Sequence, residues 1–264
     1  MNQLADRRAL VVGASRGLGR GVAEAFVAGG ASVVAVARDT SPLNELAARQ
    51  KNFQLEAADA NDPAAAGRLL RKYRPDIVAL VAGAAPSLRP LQQQTWESFS
   101  TNWNADVRMT FHWLREVLLL PLRPGSQVIV MSSGAAIMGS PLSGGYAGAK
   151  ATQRFMADYA AQEAGRADLQ ITFSAVMPRL TPFTDLGKAA TEAYAARMGV
   201  TEAEYLGQVG KPVTPEVAGR AFVSLATGEV PAGAYMLTAD GLQPPPGAAP
   251  VARPEPTPAI KKER

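Results

Sequence analysis

Residues 11–21 read VVGASRGLGRG and place Gly13, Gly17 and Gly19 between an apolar run and the start of a helical pattern. A turn this tight uses glycine where φ is unusual and where a ligand approaches main-chain amides closely. A helix that follows such a turn directs the positive end of its dipole at an anion. The spacing is not the commoner G-x-G-x-x-G, and the loop alone would also fit a structural turn. Its strand–loop–helix context and N-terminal position predict a dinucleotide-binding α/β domain.

Seven short apolar runs alternate with helical patterns on both sides of this loop. The predicted strands lie in RALVVGA, ASVVAVAR, FQLEAAD, DIVALVAG, SQVIVMSS, QITFSAVMP and AYMLTAD. Helical patterns cover about 17–29, 41–50, 95–120, 144–165 and 185–207, and two more begin at Asn61-Asp62-Pro63 and at Thr214. Apolar strands without alternation, separated by helices, indicate a parallel sheet covered on both faces. We therefore predict an α/β fold, a single doubly wound Rossmann-like domain with a mainly parallel seven-stranded sheet and helices on both faces.

The domain organisation follows from the absence of any linker in the body of the chain. We predict one domain over 1–242, with a substrate lid at about 180–210. Residues 243–264 form a Pro-rich C-terminal tail, expected to be an extended or disordered arm or to lie across a neighbouring subunit.

Composition excludes several kinds of site. The 264 residues are 47% hydrophobic, enough for a large core, and contain no cysteine and one histidine. Disulfides, thiol nucleophiles and cysteine-based zinc sites are therefore excluded, and a histidine-rich metal centre or a Ser-His-Asp triad is not expected. We predict no metal site, and His112, in a helical apolar stretch, is interpreted as structural.

Charge and hydropathy argue against nucleic acid and membrane partners. Half of the net charge of +4 comes from the tail, and no basic stripe carries interleaved aromatic residues. The start of the chain shows no apolar signal-peptide core, and no apolar stretch approaches the roughly 20 residues that span a bilayer. We expect a soluble, cytoplasmic protein.

The second predicted strand ends in VAVARDT and indicates which nicotinamide cofactor binds. A site for NAD usually has a carboxylate there for the ribose 2′-hydroxyl, whereas the 2′-phosphate of NADP needs a cation. Ala37 occupies the expected acidic position, Arg38 follows it, and Arg16 lies in the glycine loop. Two arginines favour NADP(H), although both could be solvated and Asp39 could turn toward the ribose.

Residues 146–150, YAGAK, place Tyr146 one helical turn before Lys150, and Ser133 ends the preceding strand. Residues four apart on a helix share a face, and a nearby ammonium favours a phenolate, as a general acid/base requires. A serine hydroxyl at the strand end can donate a hydrogen bond to a substrate carbonyl. Ser132 is a second hydroxyl there, but neighbouring strand residues point to opposite faces, so one at most can serve.

These motifs resemble the short-chain dehydrogenase/reductase family over about residues 6–242. The resemblance rests on GASRGLG, Asp59 after the third strand, the Ala82-Gly83 pair, the thirteen-residue spacing from Ser133 to Tyr146, YAGAK, and the closing ADG at 239–241. It selects Ser133 over Ser132 and implies that Lys150 also holds the nicotinamide ribose and Asp59 contacts the adenine. The cofactor residues that it implies are Gly13, Ser15, Arg16, Gly17, Leu18, Gly19, Arg38, Asp59, Ala60, Ala82, Gly83, Tyr146, Lys150, Pro178 and Thr181.

Three positions depart from the family pattern. The usual Asn-Asn-Ala-Gly turn is Leu80-Val81-Ala82-Gly83, and the usual Pro-Gly after the sixth strand is Pro178-Arg179. The arginine could narrow the pocket or present a cation to an acidic substrate. Alignment puts Asp106 at the family's relay asparagine, with Asn104 as a rival about 200° away on an ideal helix. Asp106 joins Ser133, Tyr146 and Lys150 in the predicted catalytic set, where it could relay water or pair with Lys150.

The resemblance implies an NADPH-dependent oxidoreductase that reduces a ketone or aldehyde to an alcohol, with Tyr146 as proton donor. The departures leave a second hypothesis, a nucleotide-binding sensor or scaffold with weak or absent turnover. Residues Phe183, Leu186, Tyr194, Met198, Tyr205 and Leu206 predict an apolar pocket or lid packing, with Met138 and Leu142 as further walls. Thr181 and Thr184 could contact the nicotinamide amide or cap a helix. A homodimer or homotetramer is expected through the two long helices, where Trp96, Trp103, Trp113, Phe155 and Tyr159 face either an interface or the core.

Overall fold

The structure, a computed structural model, describes residues 2–247. Most of the predicted C-terminal tail, residues 248–264, lies outside the described residues. Within the described part, no helix combines the length and the apolar character needed to span a bilayer.

One mainly parallel sheet runs through the domain and confirms the predicted doubly wound α/β fold. Its strands are β1 (Arg8–Val12), β2 (Ser32–Ala37), β3 (Phe53–Ala57), β4 (Ile77–Leu80), β5 (Gln127–Met131), β6 (Thr172–Pro178), β7 (Ala234–Thr238) and β8 (Gly241–Gln243). Their order is β3-β2-β1-β4-β5-β6-β7-β8, and only β7 and β8 pair antiparallel.

Helices connect the strands, and most of them begin where the sequence predicts. Their bounds are α1 (Gly17–Ala28), α2 (Asn44–Arg49), α3 (Pro63–Tyr73), α4 (Trp96–Asn102), α5 (Arg108–Leu119), α6 (Ala135–Met138), α7 (Gly144–Arg166), α8 (Asp185–Met198), α9 (Glu202–Val209) and α10 (Pro215–Thr227). The start of α3 shows why: the Asp62 carboxylate accepts a hydrogen bond from the Ala64 amide, and Pro63 needs no hydrogen-bond partner for its nitrogen.

Both faces of the sheet are buried, as the continuous apolar runs predict. Along β1, Ala9 and Val11 pack with α1 and α10, while Leu10 and Val12 pack with α3, α5 and α7. Alternate side chains of one strand thus enter two different cores, so neither face of the strand is polar.

The prediction of seven strands was one short. The turn after β7 has two residues, and Gly241, with a φ of +108°, opens β8 and pairs with Thr238. Glycine tolerates this left-handed backbone. The strand is only three residues long and includes Gln243, which the sequence assigned to the tail.

The long helical pattern at 95–120 is not one regular helix. A π-helical segment over Trp103–Val107 separates α4 from α5. Such segments insert an extra residue into a turn and rotate the side chains that follow, and they occur frequently at functional sites. The short helix α6, directly after Ser133, was not predicted.

The strand order places a crevice at the carboxyl ends of the strands. The chain proceeds from β1 to β3 in one direction and from β4 onward in the other, so the connections after β1 and β4 diverge. Ligands of doubly wound folds bind at such switch points. A cleft of about 830 Å³ opens there, within the usual size range of ligand pockets.

Candidate active site

Every residue predicted for catalysis or cofactor binding lines this cleft. The lining includes Gly13, Ser15, Arg16, Gly17, Leu18, Gly19, Arg38, Asp59, Ala60, Ala82, Gly83, Asp106, Ser133, Tyr146, Lys150, Pro178 and Thr181. These residues come from loops and helices that follow different strands, so only the fold brings them together.

The glycine loop packs tightly against the turn after β4. Gly13 has a φ of +91°, and a Cβ atom there would lie 2.5 Å from the Ala82 amide nitrogen. No larger residue fits without moving the backbone. The loop leads into α1, whose first turn contains no acidic residue and whose N-cap makes no side-chain hydrogen bond. The first amides of a helix have no partner within it, so this end of the cleft suits a diphosphate.

Two arginines lie where a nucleotide ribose would follow the diphosphate. Arg38 and Arg16 both line the cleft and are exposed. Asp39 is exposed outside the cleft lining, and its carboxylate accepts a hydrogen bond from the Ser41 amide at 2.9 Å. Hydrogen bonding from the Ser41 side chain and from its amide lowers the pKa of Asp39 and holds its carboxylate in a local turn. The inward rotation of Asp39 that the sequence left open is not observed.

Arg16 also forms an ion pair that the sequence did not predict. Its guanidinium lies 3.0 Å from the Asp185 carboxylate at the start of α8. Both side chains are more than three-quarters exposed, so the pair contributes little stability and an anionic ligand can compete for the arginine.

The end of the cleft beside Asp59 contains one buried polar atom without a hydrogen-bond partner among the described residues. Asp59 Oδ1 accepts from the Asn61 amide at 2.9 Å, and the side-chain oxygen of Asn61 is buried with no hydrogen bond to any described residue. Such orphaned groups are rare in folded proteins and point to a missing ligand or water. Asn61 was not predicted, because a single asparagine in a turn carries no distinctive signal.

The two serines after β5 have different environments. Ser132 is buried, and its hydroxyl donates to the Lys150 carbonyl at 2.7 Å, which ties the strand to α7. Ser133 is half-buried and lies in the cleft, where its Oγ accepts from the Ala135 amide and keeps its proton available. Both serines line the cleft, but the Ser132 hydroxyl already donates to the main chain, so the Ser133 hydroxyl is the one with a proton available for a ligand.

Tyr146 and Lys150 lie on the first two turns of α7. The Lys150 Nζ atom is 5.5 Å from the centre of the Tyr146 ring and donates to the Met131 carbonyl at 3.3 Å. The lysine is buried, whereas the tyrosine is half-buried and lines the cleft. The buried ammonium therefore lies beside the phenol ring at the wall of the cleft.

Asp106 pairs directly with this lysine. Its Oδ2 atom lies 3.2 Å from Lys150 Nζ, and Asp106 is fully buried. Burial of the lysine opposes its charge, but the charges of Asp106 and Tyr146 and the hydrogen bond to Asp106 outweigh this effect and raise the pKa of Lys150. Asn104, the rival position, is exposed on the outer side of the same π-helical segment.

Asp106 and Asn102 also hold the turn that lacks the family's asparagines. The Ala84 amide donates to Asp106 Oδ1 at 2.8 Å, and Asn102 Nδ2 donates to the Ala84 carbonyl at 2.8 Å. Closer to β4, the amides of Val81 and Ala82 both donate to the Val12 carbonyl. The Leu80–Gly83 turn therefore forms without side-chain amides of its own.

The segment 180–210 covers the other end of the cleft through α8 and α9. Phe183, Leu186, Tyr194 and Tyr205 line the cleft, as does Met138, whereas Met198, Leu206 and Leu142 do not. The Tyr194 hydroxyl makes a short hydrogen bond with the Ser140 hydroxyl, which links α8 to the loop before α7. The Tyr194 and Ser140 hydroxyls thus add polar groups to a mainly apolar wall.

The threonines after β6 have separate roles. The Thr184 hydroxyl accepts from the Gly187 amide and caps α8, the helix-capping alternative that the sequence left open. Thr181 is buried at the cleft wall, 3.2 Å from Thr184 Oγ1. Arg179 lines the cleft and is exposed.

Comparison with known proteins agrees with this architecture. Residues 7–195 match the family described as short chain dehydrogenase. L-xylulose reductase of Bos taurus is 28% identical over 191 residues, which are 71% of this chain and 77% of that protein. A protein of Sus scrofa named NADPH carbonyl reductase 2 is 27% identical over 187 residues, 70% of this chain and 75% of that protein.

Human L-xylulose reductase is 34% identical over a shorter stretch of 105 residues. That stretch is 40% of this chain and spans less than half, 43%, of the human protein. The family match extends over most of the chain, from the glycine loop through α7 and into α8. The chain therefore belongs to the short-chain dehydrogenase family, whose members are oxidoreductases that bind NAD or NADP.

Proposed function

We propose that this protein reduces the carbonyl group of a ketone or aldehyde to an alcohol with NADPH, and that Tyr146 donates the proton. The observation that carries the proposal is that Ser133, Tyr146 and Lys150 line the same cleft as the glycine loop. The helix that follows this loop, α1, has no side-chain cap at its N-terminus. A purely nucleotide-binding protein has no chemical need for a hydroxyl, a phenol and a buried ammonium at that position.

The chemistry assigns one task to each side chain. The Ser133 hydroxyl donates a hydrogen bond to the carbonyl oxygen and orients it. The Tyr146 hydroxyl transfers its proton to that oxygen, and the Lys150 ammonium stabilises the phenolate left behind. Asp106 fixes the position of Lys150 through the ion pair. When bound, the nicotinamide cofactor supplies the hydride that adds to the carbonyl carbon.

The preference for NADPH rests on charge at the ribose end of the cleft. Arg38 and Arg16 offer two cations to a 2′-phosphate, while Ala37 provides no acceptor for a 2′-hydroxyl and Asp39 is held in its own turn. The relative from Sus scrofa has NADPH in its name. Asn61 would contribute its unpaired oxygen at the adenine end.

A homodimer or homotetramer is part of the proposal. Four large aromatic side chains on α5, α7 and the π-helical segment are at least two-fifths exposed, namely Trp103, Phe111, Phe155 and Tyr159. Trp113 is fully buried in the core and does not support the interface, whereas Trp96, on α4, is 73% exposed. Sedimentation analysis of the purified protein tests the oligomeric state, and Phe155→Glu is expected to favour the monomer.

The second hypothesis, a nucleotide sensor with slow turnover, is favoured by one observation. The Asp106 carboxylate neutralises the Lys150 ammonium at close range and so weakens its effect on Tyr146.

The test of function follows NADPH and, in parallel, NADH during incubation with a panel of ketones, aldehydes and diketones. We expect NADPH loss matched by formation of the alcohol, and at least about tenfold lower kcat/KM with NADH, as loss of a charged hydrogen bond predicts. Tight NADPH binding without turnover of any carbonyl would refute the reductase and favour the sensor.

A further inference from the structure

We propose that the substrate carries a carboxylate and that the guanidinium of Arg179 binds it. This inference rests on the proposed reductase function and names the class of substrate: a carbonyl compound with an acidic group near an apolar body.

The first argument is the charge balance of the cleft. Seven charged side chains line it, namely Arg16, Arg38, Lys150 and Arg179 against Asp59, Asp106 and Asp185. Lys150 pairs with Asp106 and Arg16 pairs with Asp185. Arg38 and Asp59 follow β2 and β3, at the nucleotide end. Within residues 2–247, Arg179 forms no ion pair, so it is the one cation at the opposite end without a carboxylate partner there.

The second argument is the position of Arg179 beside the predicted carbonyl-binding serine. Strands β5 and β6 are neighbours, and the Gly134 amide donates to the Pro178 carbonyl at 2.8 Å. Arg179 therefore follows β6 at the level where Ser133 and Gly134 follow β5. Its own amide donates to the Leu237 carbonyl at 2.9 Å, which fixes the backbone and leaves the exposed side chain to move in the cleft.

The surroundings of Arg179 suit an acidic molecule with an apolar body. The nearby cleft wall is formed by Met138, Leu180, Phe183 and Leu186 and contains no unpaired carboxylate among the described residues. The planar guanidinium binds a carboxylate through two parallel hydrogen bonds, and a partly apolar wall strengthens that attraction relative to water. A cationic substrate would meet repulsion at the same place.

A competing role for Arg179 is binding of a cofactor phosphate. The two roles differ in what a substitution changes. An arginine that binds the substrate affects KM for acidic substrates only, whereas one that binds the cofactor affects NADPH affinity and the turnover of every substrate.

The experiment compares keto acids of increasing chain length with their methyl esters, which keep the carbonyl and remove the charge. The variants are Arg179→Gln, Arg179→Lys and the control Lys188→Gln, an exposed α8 lysine outside the cleft lining. Steady-state kinetics and NADPH binding by fluorescence are measured for each.

We expect the wild-type protein to favour the acid over its ester by at least about tenfold in kcat/KM. Arg179→Gln is expected to lower kcat/KM for the acid by about 10- to 100-fold, mainly by raising KM. Its kcat/KM for the ester and its Kd for NADPH should stay within about twofold of the wild-type values. Arg179→Lys should retain part of the preference, since it keeps the charge without the planar fork. Lys188→Gln should match the wild type.

Three outcomes would overturn the inference. Reduction of the esters without any preference for the acids would contradict it and leave the reductase function standing. Equal losses for acid and ester, with weaker NADPH binding, would assign Arg179 to the cofactor. Absence of turnover for both acids and esters would remove the reductase function itself.

Discussion

The Asp106 carboxylate lies 3.2 Å from the Lys150 ammonium, with both side chains buried, at the position where the family resemblance leads one to expect an uncharged asparagine. A carboxylate there neutralises the cation that lies beside the Tyr146 ring, and its own charge opposes a second anion nearby. The pair also couples the site to the fold, because Asp106 Oδ1 accepts from the Ala84 amide in the turn after β4.

Asp106→Asn is expected to speed carbonyl reduction. Loss of the negative charge leaves the Lys150 ammonium unneutralised, so it stabilises more strongly the negative charge that develops on the Tyr146 oxygen as the proton leaves. The single-turnover rate at pH 7 should rise about tenfold, which corresponds to about 1.4 kcal/mol of added transition-state stabilisation.

Single-turnover kinetics at pH 7 measure this change. Asn104→Ala is the matched control, because Asn104 lies on the same π-helical segment but is exposed away from Lys150. An Asp106→Asn rate equal to or below that of the wild type would mean that the carboxylate does not weaken the action of Lys150 on Tyr146.

The same pair predicts a stability effect with a definite sign. Because folding raises the pKa of Lys150, its ammonium group stabilises the folded protein. This stabilisation is complete below the ordinary lysine pKa of about 10.4 and is lost as the pH rises through the pKa of the folded protein. Asp106→Ala leaves the ammonium buried without its carboxylate and should lower the free energy of unfolding by about 3–5 kcal/mol at neutral pH. Urea denaturation measures this, and a loss below about 1 kcal/mol would contradict the buried pair.

Arg38→Gln and Arg16→Gln are expected to weaken NADPH binding selectively. Each removes one charged hydrogen bond to a 2′-phosphate, which corresponds to about 10- to 100-fold in Kd, while the Kd for NADH should change by less than about threefold. Arg16→Gln should have the smaller effect, because Arg16 already forms an ion pair with Asp185.

Fluorescence titration with both nucleotides gives these constants. Arg49→Gln, an exposed arginine on α2 outside the cleft lining, is the control for nonspecific charge effects. Equal weakening of NADPH and NADH would assign the arginines to the diphosphate rather than to the 2′-phosphate.

Glu56 links β3 to α3 and predicts an acid-dependent stability. Its partial burial would raise its pKa, but hydrogen bonds from Lys72, Tyr73 and Arg68 lower the pKa to about 2. Because folding lowers the pKa of Glu56, its carboxylate stabilises the folded protein fully above pH 4.5, the ordinary value. This stabilisation is lost as the pH falls toward about 2. Glu56→Gln should therefore lower the free energy of unfolding by about 2–3 kcal/mol at pH 7, with the difference from wild type shrinking between pH 4.5 and 2.

Urea denaturation across this pH range provides the comparison. Glu45→Gln removes a carboxylate whose ion pair with Arg49 is more than three-quarters exposed on both sides, and should change stability by less than about 0.5 kcal/mol. A Glu56→Gln difference that stays constant with pH would show that packing rather than charge is lost.

Much of the fold could be predicted because its signals are local. Apolar runs define β1 to β7, and Asp62-Pro63 and Thr214-Pro215 mark two helix starts. β8 was not predicted because its three residues, which begin with Gly241, carry no pattern of their own and depend on pairing with β7. The π-helical segment was not predicted because the helical pattern over 95–120 does not encode one inserted residue.

The site likewise combines residues that the sequence predicts with contacts that only the folded structure shows. The spacing of Ser133, Tyr146 and Lys150 is visible in the sequence, and the separate environments of Ser132 and Ser133 follow from strand alternation. The pairing of Arg16 with Asp185 was not predictable, because the two residues are distant in the chain and meet only when α8 packs over the glycine loop. The unpaired oxygen of Asn61 likewise appears only once α3 and its neighbours are in place.

The most direct test of the central claim is the single-turnover rate of carbonyl reduction by Tyr146→Phe, measured with NADPH affinity determined on the same sample. Removal of the proton donor is expected to lower the rate at least about 100-fold, as for loss of a general acid, while the Kd for NADPH changes by less than about threefold. A Tyr146→Phe variant that reduces the carbonyl at near wild-type rate would contradict the assignment of Tyr146 as proton donor.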